Sequence, residues 1–433
     1  GLASWLAVAP GAAGRVAPGP ARLGADRARS VRAAAQRSGA AADADEADHA
    51  RRVAETAALE CPGVALIAGR VGSREEPLRL QRGFADLAQR RPVAPDTIFR
   101  IFSMTKPIVS ASLLPLIGSG SVSLLDPVSR WLPEFAASKL RVWLGAGRTA
   151  AARRPVRVLD ILRHTCGMFY PGSPDNGTPG LEDAELCEAF RRSGLRSARN
   201  PKELARRLAS VPLCNEPGQR FSYSPATALV ACIAEAATGM PYDEYLEEAL
   251  LAPLGMQDTG FFLKGDSQRA RLANLYTRAP GAKAFEEAER KVFTYEHGGC
   301  VNADGGLFST LEDYARFVRF LLSDGQGLVS QDLLRAFLQD QLLADGLSVP
   351  QDLLGFPCGF GLGTYVHRGR LCGWSGLANT HFWFDVQSGR YAVLMAQRFP
   401  FSWRYQQLLT LRERQALDRR AARRGARTWP GGG

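Results

Sequence analysis

Ser103 and Lys106 stand three residues apart in FRIFSMTKPIVSASLLPLIGSG (residues 99–120), where a short apolar strand end runs into a helix, so both side chains fall on one helical face. A serine hydroxyl is a poor nucleophile until a neighbouring base takes its proton, and a lysine held as the neutral amine can be that base. Arginine cannot serve, because guanidinium does not deprotonate in proteins. The chain uses Arg 48 times and Lys six times, so a lysine here speaks for acid–base chemistry as well as charge. The helix start adds backbone N–H groups that can stabilise an oxyanion. A Ser-x-x-Lys pair by itself arises by chance roughly 0.4 times in a chain of this composition, so the rest of the sequence has to support it.

Other chemistry is thinly represented. His164 would be the base of a Ser/His/Asp enzyme, but no G-x-S-x-G elbow accompanies it. The eight cysteines are dispersed, with no C-x-x-C pair and no zinc-like spacing, and read as reduced thiols. Only Cys358 and Cys372 are placed to meet across a hairpin. Asp304, Gly305 and Gly306 read as a turn before a helix rather than a phosphate loop. Neither a metal site nor a cofactor is expected.

The elements that must position Ser103 follow from pattern. An acid-rich helix covers about 43–59, and GVALIAGRV (63–71) and LRLQRGFAD (78–86) read as paired strands. The helix that starts near Ser103 stops by Gly118, with Pro107 tolerated in its first turn. Residues 125–290 read as helices separated by Pro/Gly/Asp loops, clearest in ATALVACIAEAAT and YDEYLEEALLAPL. After them come the helix LEDYARFVRFLLS and three apolar runs, FGLGTYVH, ANTHFWFDV and RYAVLMAQ, separated by GR and QSG turns and read as antiparallel strands. One mixed sheet with its halves far apart in sequence accounts for this order.

Of 433 residues, 45% are hydrophobic and 22% charged, which excludes collagen, coiled coil and wholesale disorder. The longest apolar run, around Ile108 to Ile117, is crossed by Ser and Pro and falls short of the roughly 20 residues a membrane span needs. The net charge of +11 would suit nucleic acid, but most of the excess sits at the two ends. Residues 1–40 carry six Arg and one Asp, and residues 411–433 carry seven Arg, one Glu and one Asp. Neither end interleaves aromatics as a single-strand binder does, so both read as basic tails and no nucleic-acid partner is expected. Residues 1–41 are expected to be a disordered leader, an organelle transit peptide or the remnant of a signal sequence, and 412–433 a basic tail in solvent.

The motif RIFSMTKPI (100–108) and the segments around it resemble the penicillin-recognising serine hydrolases, specifically the β-lactamase-related esterases and statin acyltransferases. The likeness covers about residues 45–411. LLDPVSRWLPEF (124–135), RPVRVLDILRHTCGM (154–168), EPGQRFSYSPATALVACIAEAATGMPYDEYL (216–246), APLGMQDTGF (252–261) and DGGLFSTLEDYARF (304–317) follow one another in the family's order. GWSG (373–376) stands where these esterases carry W-G-G.

The resemblance implies an α/β (α+β) fold of the β-lactamase and penicillin-binding-protein type: an antiparallel sheet (42–124 and 291–411) flanked by helices, with a mainly helical part (125–290) inserted. It makes Ser103 the nucleophile and Lys106 and Tyr223 the acid–base pair, with the backbone N–H groups of Ser103 and Leu377 as oxyanion hole. Trp374, Ser375, Gly376 and Tyr170 become substrate-binding residues, and the family's HTSG histidine, here His164, is structural. Ser224 is expected to cap a helix with Pro225 at its first position. The chain departs from the β-lactamases at two points. Pro225 replaces the Asn of Tyr-x-Asn, and Trp374 replaces the Lys that holds a substrate carboxylate, which favours a neutral, partly apolar acyl group. The implied activity is hydrolysis of a small carboxylic ester. Acyl transfer on the same site, β-lactam or peptide hydrolysis, and a non-catalytic filament-forming scaffold are the alternatives.

Overall fold

The computed structural model describes residues 45–171, 183–279, 281–282, 284–288 and 300–425. The expected leader (1–41) and the expected return to the sheet part at 291 lie outside these residues. The chain divides into two units, 1–46 and 47–433, and the second carries the sheet, the cleft and the packing described below.

Eight strands form the main sheet: β1 (Gly63–Arg70), β2 (Leu78–Asp86), β3 (Arg91–Pro92), β4 (Gly359–Phe360), β5 (Tyr365–His367), β6 (Leu371–Gly376), β7 (Thr380–Asp385) and β8 (Arg390–Ala396). Their order is β4-β5-β6-β7-β8-β1-β2-β3. Every pairing is antiparallel. The two distant halves meet where β1 pairs with β8, at Leu66↔Leu394. The β1 sequence GVALIAGR is apolar almost throughout because both faces are covered, and six of its eight residues are buried. β2 is less covered: Arg79, Arg82 and Gly83 are exposed and only Ala85 and Asp86 are buried.

Helix α1 (residues 45–60) buries Ala50, Val53, Ala54 and Ala57, an i, i+3, i+4, i+7 stripe. α2 (Thr105–Ser112) is buried along its whole length. α3 (Ala228–Thr238) belongs to the helical part, α4 (Leu311–Leu321) packs on β8 and β1, and α5 (Trp403–Gly425) packs on β7 and β6. Consecutive residues of β7 show the two layers. The His381 ring lies 6.2 Å from Tyr405 of α5, and the Phe382 ring 5.0 Å from Tyr314 of α4, on the opposite face.

Three features differ from the sequence reading, the first being β6, a strand inserted between the first two of the three expected apolar runs. The helical part contains a hairpin, Arg141–Gly145 with Arg148–Ala151, closed by Ala146 (φ 51°) and Gly147 (φ 71°), the positive-φ pair of a two-residue hairpin turn. The residues expected to begin a basic tail at 412 instead continue α5. Leu409, Glu413 and Leu417 are all buried at four-residue spacing. Glu413 pairs with Arg390 at 3.2 Å, and the Arg414 guanidinium lies 4.5 Å from the Phe356 ring. The high Arg content masked that helical stripe. All eight cysteines are free, Cys358 and Cys372 included.

Outside the main sheet, Ile98–Arg100 pairs antiparallel with Phe308–Thr310, three residues each. This short ladder sets the turn before α2 beside the loop at 302–306.

Candidate active site

Ser103 sits in the 3-10 turn Phe102–Met104 that opens α2. Phe102 has φ 45°, a left-handed conformation that costs a non-glycine residue about 1–3 kcal/mol. The surroundings hold it there. The Ile101 N–H donates to the Leu307 carbonyl (3.1 Å), the Thr380 hydroxyl to the Ile101 carbonyl (3.2 Å), and the Tyr314 hydroxyl to the Met104 carbonyl (3.0 Å). Gly376 comes so close that an added Cβ would stand 2.2 Å from the Ile101 carbonyl oxygen, so this end of β6 admits only glycine.

Lys106 is 2% exposed. Its Nζ lies 2.6 Å from the Asp304 carbonyl oxygen, 3.3 Å from the Tyr170 hydroxyl and 3.4 Å from Ser103 Oγ. It also sits 4.9 Å from the Tyr223 ring centroid and 5.4 Å from that of Tyr170. The Tyr170 hydroxyl donates to the Asp304 carboxylate. Burial first, and the Asp304 charge next, push this phenol well above the usual tyrosine range. Tyr170 therefore lines the cleft as expected, but its one hydrogen is taken within the protein.

Tyr223 is placed differently. Its hydroxyl accepts the Trp374 Nε1–H (3.2 Å), with the rings 5.1 Å apart. Trp374 thus stands on the phenol where a β-lactamase-type site would place its lysine. Behind Tyr223, at 4.9 Å, is the buried ring of His164. Burial and then the Lys106 charge hold this imidazole well below the usual histidine range, and its Nδ1 is 3.2 Å from Ser224 Oγ. His164 bonds to no reacting group, in keeping with a structural residue. Ser224 stands at the N-cap position before Pro225–Thr227, but its side chain makes no cap bond, because the hydroxyl is turned to His164. Ser375 Oγ is 2.8 Å from Nδ1 of His381, whose pKa burial lowers to about 3.

Ser103, Tyr170, Tyr223, Trp374, Ser375, Gly376 and Leu377 line one cleft that opens to solvent. Phe102, Phe401 and Trp403 add aromatic wall, and Arg100 and Arg196 add positive charge. Asp304 is the residue that sequence reasoning missed. It was visible only as part of a Gly-rich turn, and nothing in its spacing ties it to a serine some 200 positions earlier. Among the described residues no group of His, Cys, Asp or Glu converges as metal ligands do, and no helix is long and apolar enough to cross a membrane.

Protein Rv1367c of Mycobacterium tuberculosis is 35% identical over 260 residues, 59% of this chain and 61% of that protein. The chain thus spans about three fifths of the length of this curated relative. Esterase EstB of Burkholderia gladioli is 29% identical over 348 residues, covering 73% of this chain and 81% of its own. Among solved structures, EstCE1, described as a hydrolase with promiscuous acyltransferase activity, superposes with a TM-score of 0.70 at 22% identity, covering 85% of this chain and 98% of its own. The expected α/β fold of the penicillin-binding-protein type is the fold observed. The β-lactamase family profile matches residues 32–416, a span that includes every residue lining the cleft, and the chain belongs to the β-lactamase family.

Proposed function

We propose that the protein is a serine hydrolase that cleaves carboxylic esters through an acyl-enzyme on Ser103. The observation that carries this reading is the contact between buried Lys106 Nζ and the Oγ of the cleft-lining Ser103, 3.4 Å apart. In acylation the Ser103 oxygen bonds to the ester carbonyl carbon and its proton passes to the Lys106 amine. The negative oxygen of the tetrahedral intermediate is received by the N–H groups of Ser103 and Leu377. The carbon–alkoxide bond then breaks, and the proton goes to the leaving oxygen with Tyr223 sharing in the transfer. Water repeats the sequence in reverse, taking the acyl group and returning a hydrogen to Ser103. The aromatic wall of Phe102, Trp374, Phe401 and Trp403 suits an apolar acyl group.

A second reading, acyl transfer to an alcohol in place of water, is favoured by the promiscuous acyltransferase activity described for EstCE1. It uses the same first half-reaction. Labelling with a fluorophosphonate probe and peptide mapping tests both. Labelling of wild type at Ser103, lost together with p-nitrophenyl butyrate hydrolysis in Ser103→Ala, supports the proposal. Labelling at another serine sinks it, and polymer formation without any labelling favours a scaffold. Adding a competing alcohol to the ester assay separates transfer from hydrolysis by product.

A further inference from the structure

The hydrogen bonds around Lys106 leave Asp304 with a task that the acylation steps do not assign. A neutral amine has two N–H donors and one lone pair, and Lys106 Nζ faces three oxygens: the Asp304 carbonyl at 2.6 Å, Tyr170 at 3.3 Å and Ser103 at 3.4 Å. For the lone pair to meet the Ser103 hydroxyl, the other two oxygens must accept. The Asp304 carbonyl can do nothing else. A phenol, by contrast, can turn its own hydrogen toward an amine lone pair and compete with the serine. Tyr170 is prevented from doing so because its hydrogen is donated to the Asp304 carboxylate. The loop is built to hold both Asp304 groups there. The N–H groups of Gly305 and Gly306 return to the Asn302 carbonyl at 3.1 and 2.7 Å, and a Cβ on Gly306 would meet that oxygen at 2.8 Å. The strand pair of Ile98–Arg100 with Phe308–Thr310 then fixes this loop against the Ser103 turn.

We propose that Asp304 is a positioning residue for acylation: its carboxylate takes the Tyr170 hydrogen, so Tyr170 can only accept from Lys106 and the amine lone pair is left to Ser103. No proton leaves Asp304 or Tyr170 in the cycle; the pair sets direction. The inference rests on Ser103 being the nucleophile, and its test keeps the two apart.

The test uses four variants of the full chain: Asp304→Ala, Asp304→Asn, Tyr170→Phe and the Ala/Phe double. Asn keeps an acceptor oxygen for the phenol without the charge. Steady-state hydrolysis of p-nitrophenyl butyrate is measured beside fluorophosphonate labelling and thermal melting. Asp304→Ala is expected to lower kcat about 10- to 100-fold, the scale of a misdirected catalytic group, with KM changed less than about twofold. Asp304→Asn should recover most of that loss. The double variant should be no slower than Tyr170→Phe alone, because both changes act through one bond. Wild-type kcat in Asp304→Ala, or losses that multiply in the double variant, would overturn the proposal. Should Asp304→Ala fail to fold, Asp304→Leu, close in size and without an acceptor for the phenol, carries the test, and wild-type kcat in it overturns the proposal equally. A wild type that labels away from Ser103 removes the nucleophile reading itself, and this inference with it.

Discussion

Tyr170 and Tyr223 stand in the same cleft with ring centroids 5.5 Å apart, on walls of opposite character. The Tyr170 wall is acidic: its hydroxyl meets a carboxylate, and burial and charge both keep the phenol protonated. The Tyr223 wall offers donors, with an indole N–H on the phenol oxygen and the Lys106 ammonium or amine over the ring. Residue type alone does not assign the base. A tyrosine that is already giving its hydrogen to a carboxylate is a fixed acceptor, whereas one whose oxygen receives a donor keeps its own hydrogen to give. Lys106 lies between the walls, so its two neighbours can differ in role: in the mechanism proposed above Tyr223 shares the proton, and Tyr170 only accepts from the amine.

Removing the group they share should have the largest effect. Lys106→Arg keeps a cation over Tyr223 but supplies no lone pair, and kcat for ester hydrolysis is expected to fall about 10²- to 10⁴-fold. Near wild-type turnover would show that only the charge matters and would dissolve the distinction between the walls.

The comparison is sharpened by Tyr223→Phe. If Tyr223 takes part in proton delivery, kcat should drop about 10²-fold, whereas Trp374→Phe, which removes a single neutral donor from the same oxygen, should cost about two- to tenfold. Equal losses in the two would mean that the wall acts by shape, and kcat and KM measured on one batch of ester decide it.

The indole wall also makes a prediction about substrate. A β-lactam carboxylate would face Trp374 rather than an ammonium, a lost charge-assisted bond of about 1.5–3 kcal/mol. Pro225 has no side-chain donor for an acylamino group. Nitrocefin and benzylpenicillin are therefore expected to show kcat/KM at least about tenfold below that of short acyl esters. A β-lactam value at or above the ester value would transfer the assignment to lactams or related amides.

Which parts of this site are legible in sequence follows from how local each one is. Ser103 and Lys106 share one helical turn, so spacing alone pairs them. β1 and β8 are legible as apolar runs because propensity and burial agree there. β6, LCGWSG, is not. Two of its six residues are glycines that a strand reading discounts, yet both are required by close approach, Gly373 to the Phe382 carbonyl and Gly376 to Ile101. The hairpin at 141–151 hides because Ala146 takes a positive φ that usually signals Asn or Gly. Asp304 is the least legible, since its place beside Lys106 depends on a three-residue strand pair between distant segments. The divergent roles of the two tyrosines depend in turn on that placement.

The smallest expected effect isolates the Tyr170 wall in stability rather than rate. Free phenols titrate near 10, but burial and the Asp304 carboxylate raise the folded-state pKa of Tyr170. Below pH 10 the phenol is protonated in both folded and unfolded chains, so its contribution does not vary with pH. Above pH 10 the unfolded chain releases this proton while the folded chain keeps it, so the unfolded state is favoured by up to about 1.4 kcal/mol per pH unit until the folded pKa is reached. Tyr170→Phe deletes that one proton and leaves the other buried tyrosines unchanged. Urea unfolding at pH 8, 10 and 11 should therefore show wild type losing stability faster than the variant above pH 10, by an amount approaching that slope, with a constant difference below it. A difference that stays constant across the whole range would mean that Tyr170 ionises in the fold as readily as in the open chain. It would then be no fixed acceptor, and the contrast with Tyr223 would fall.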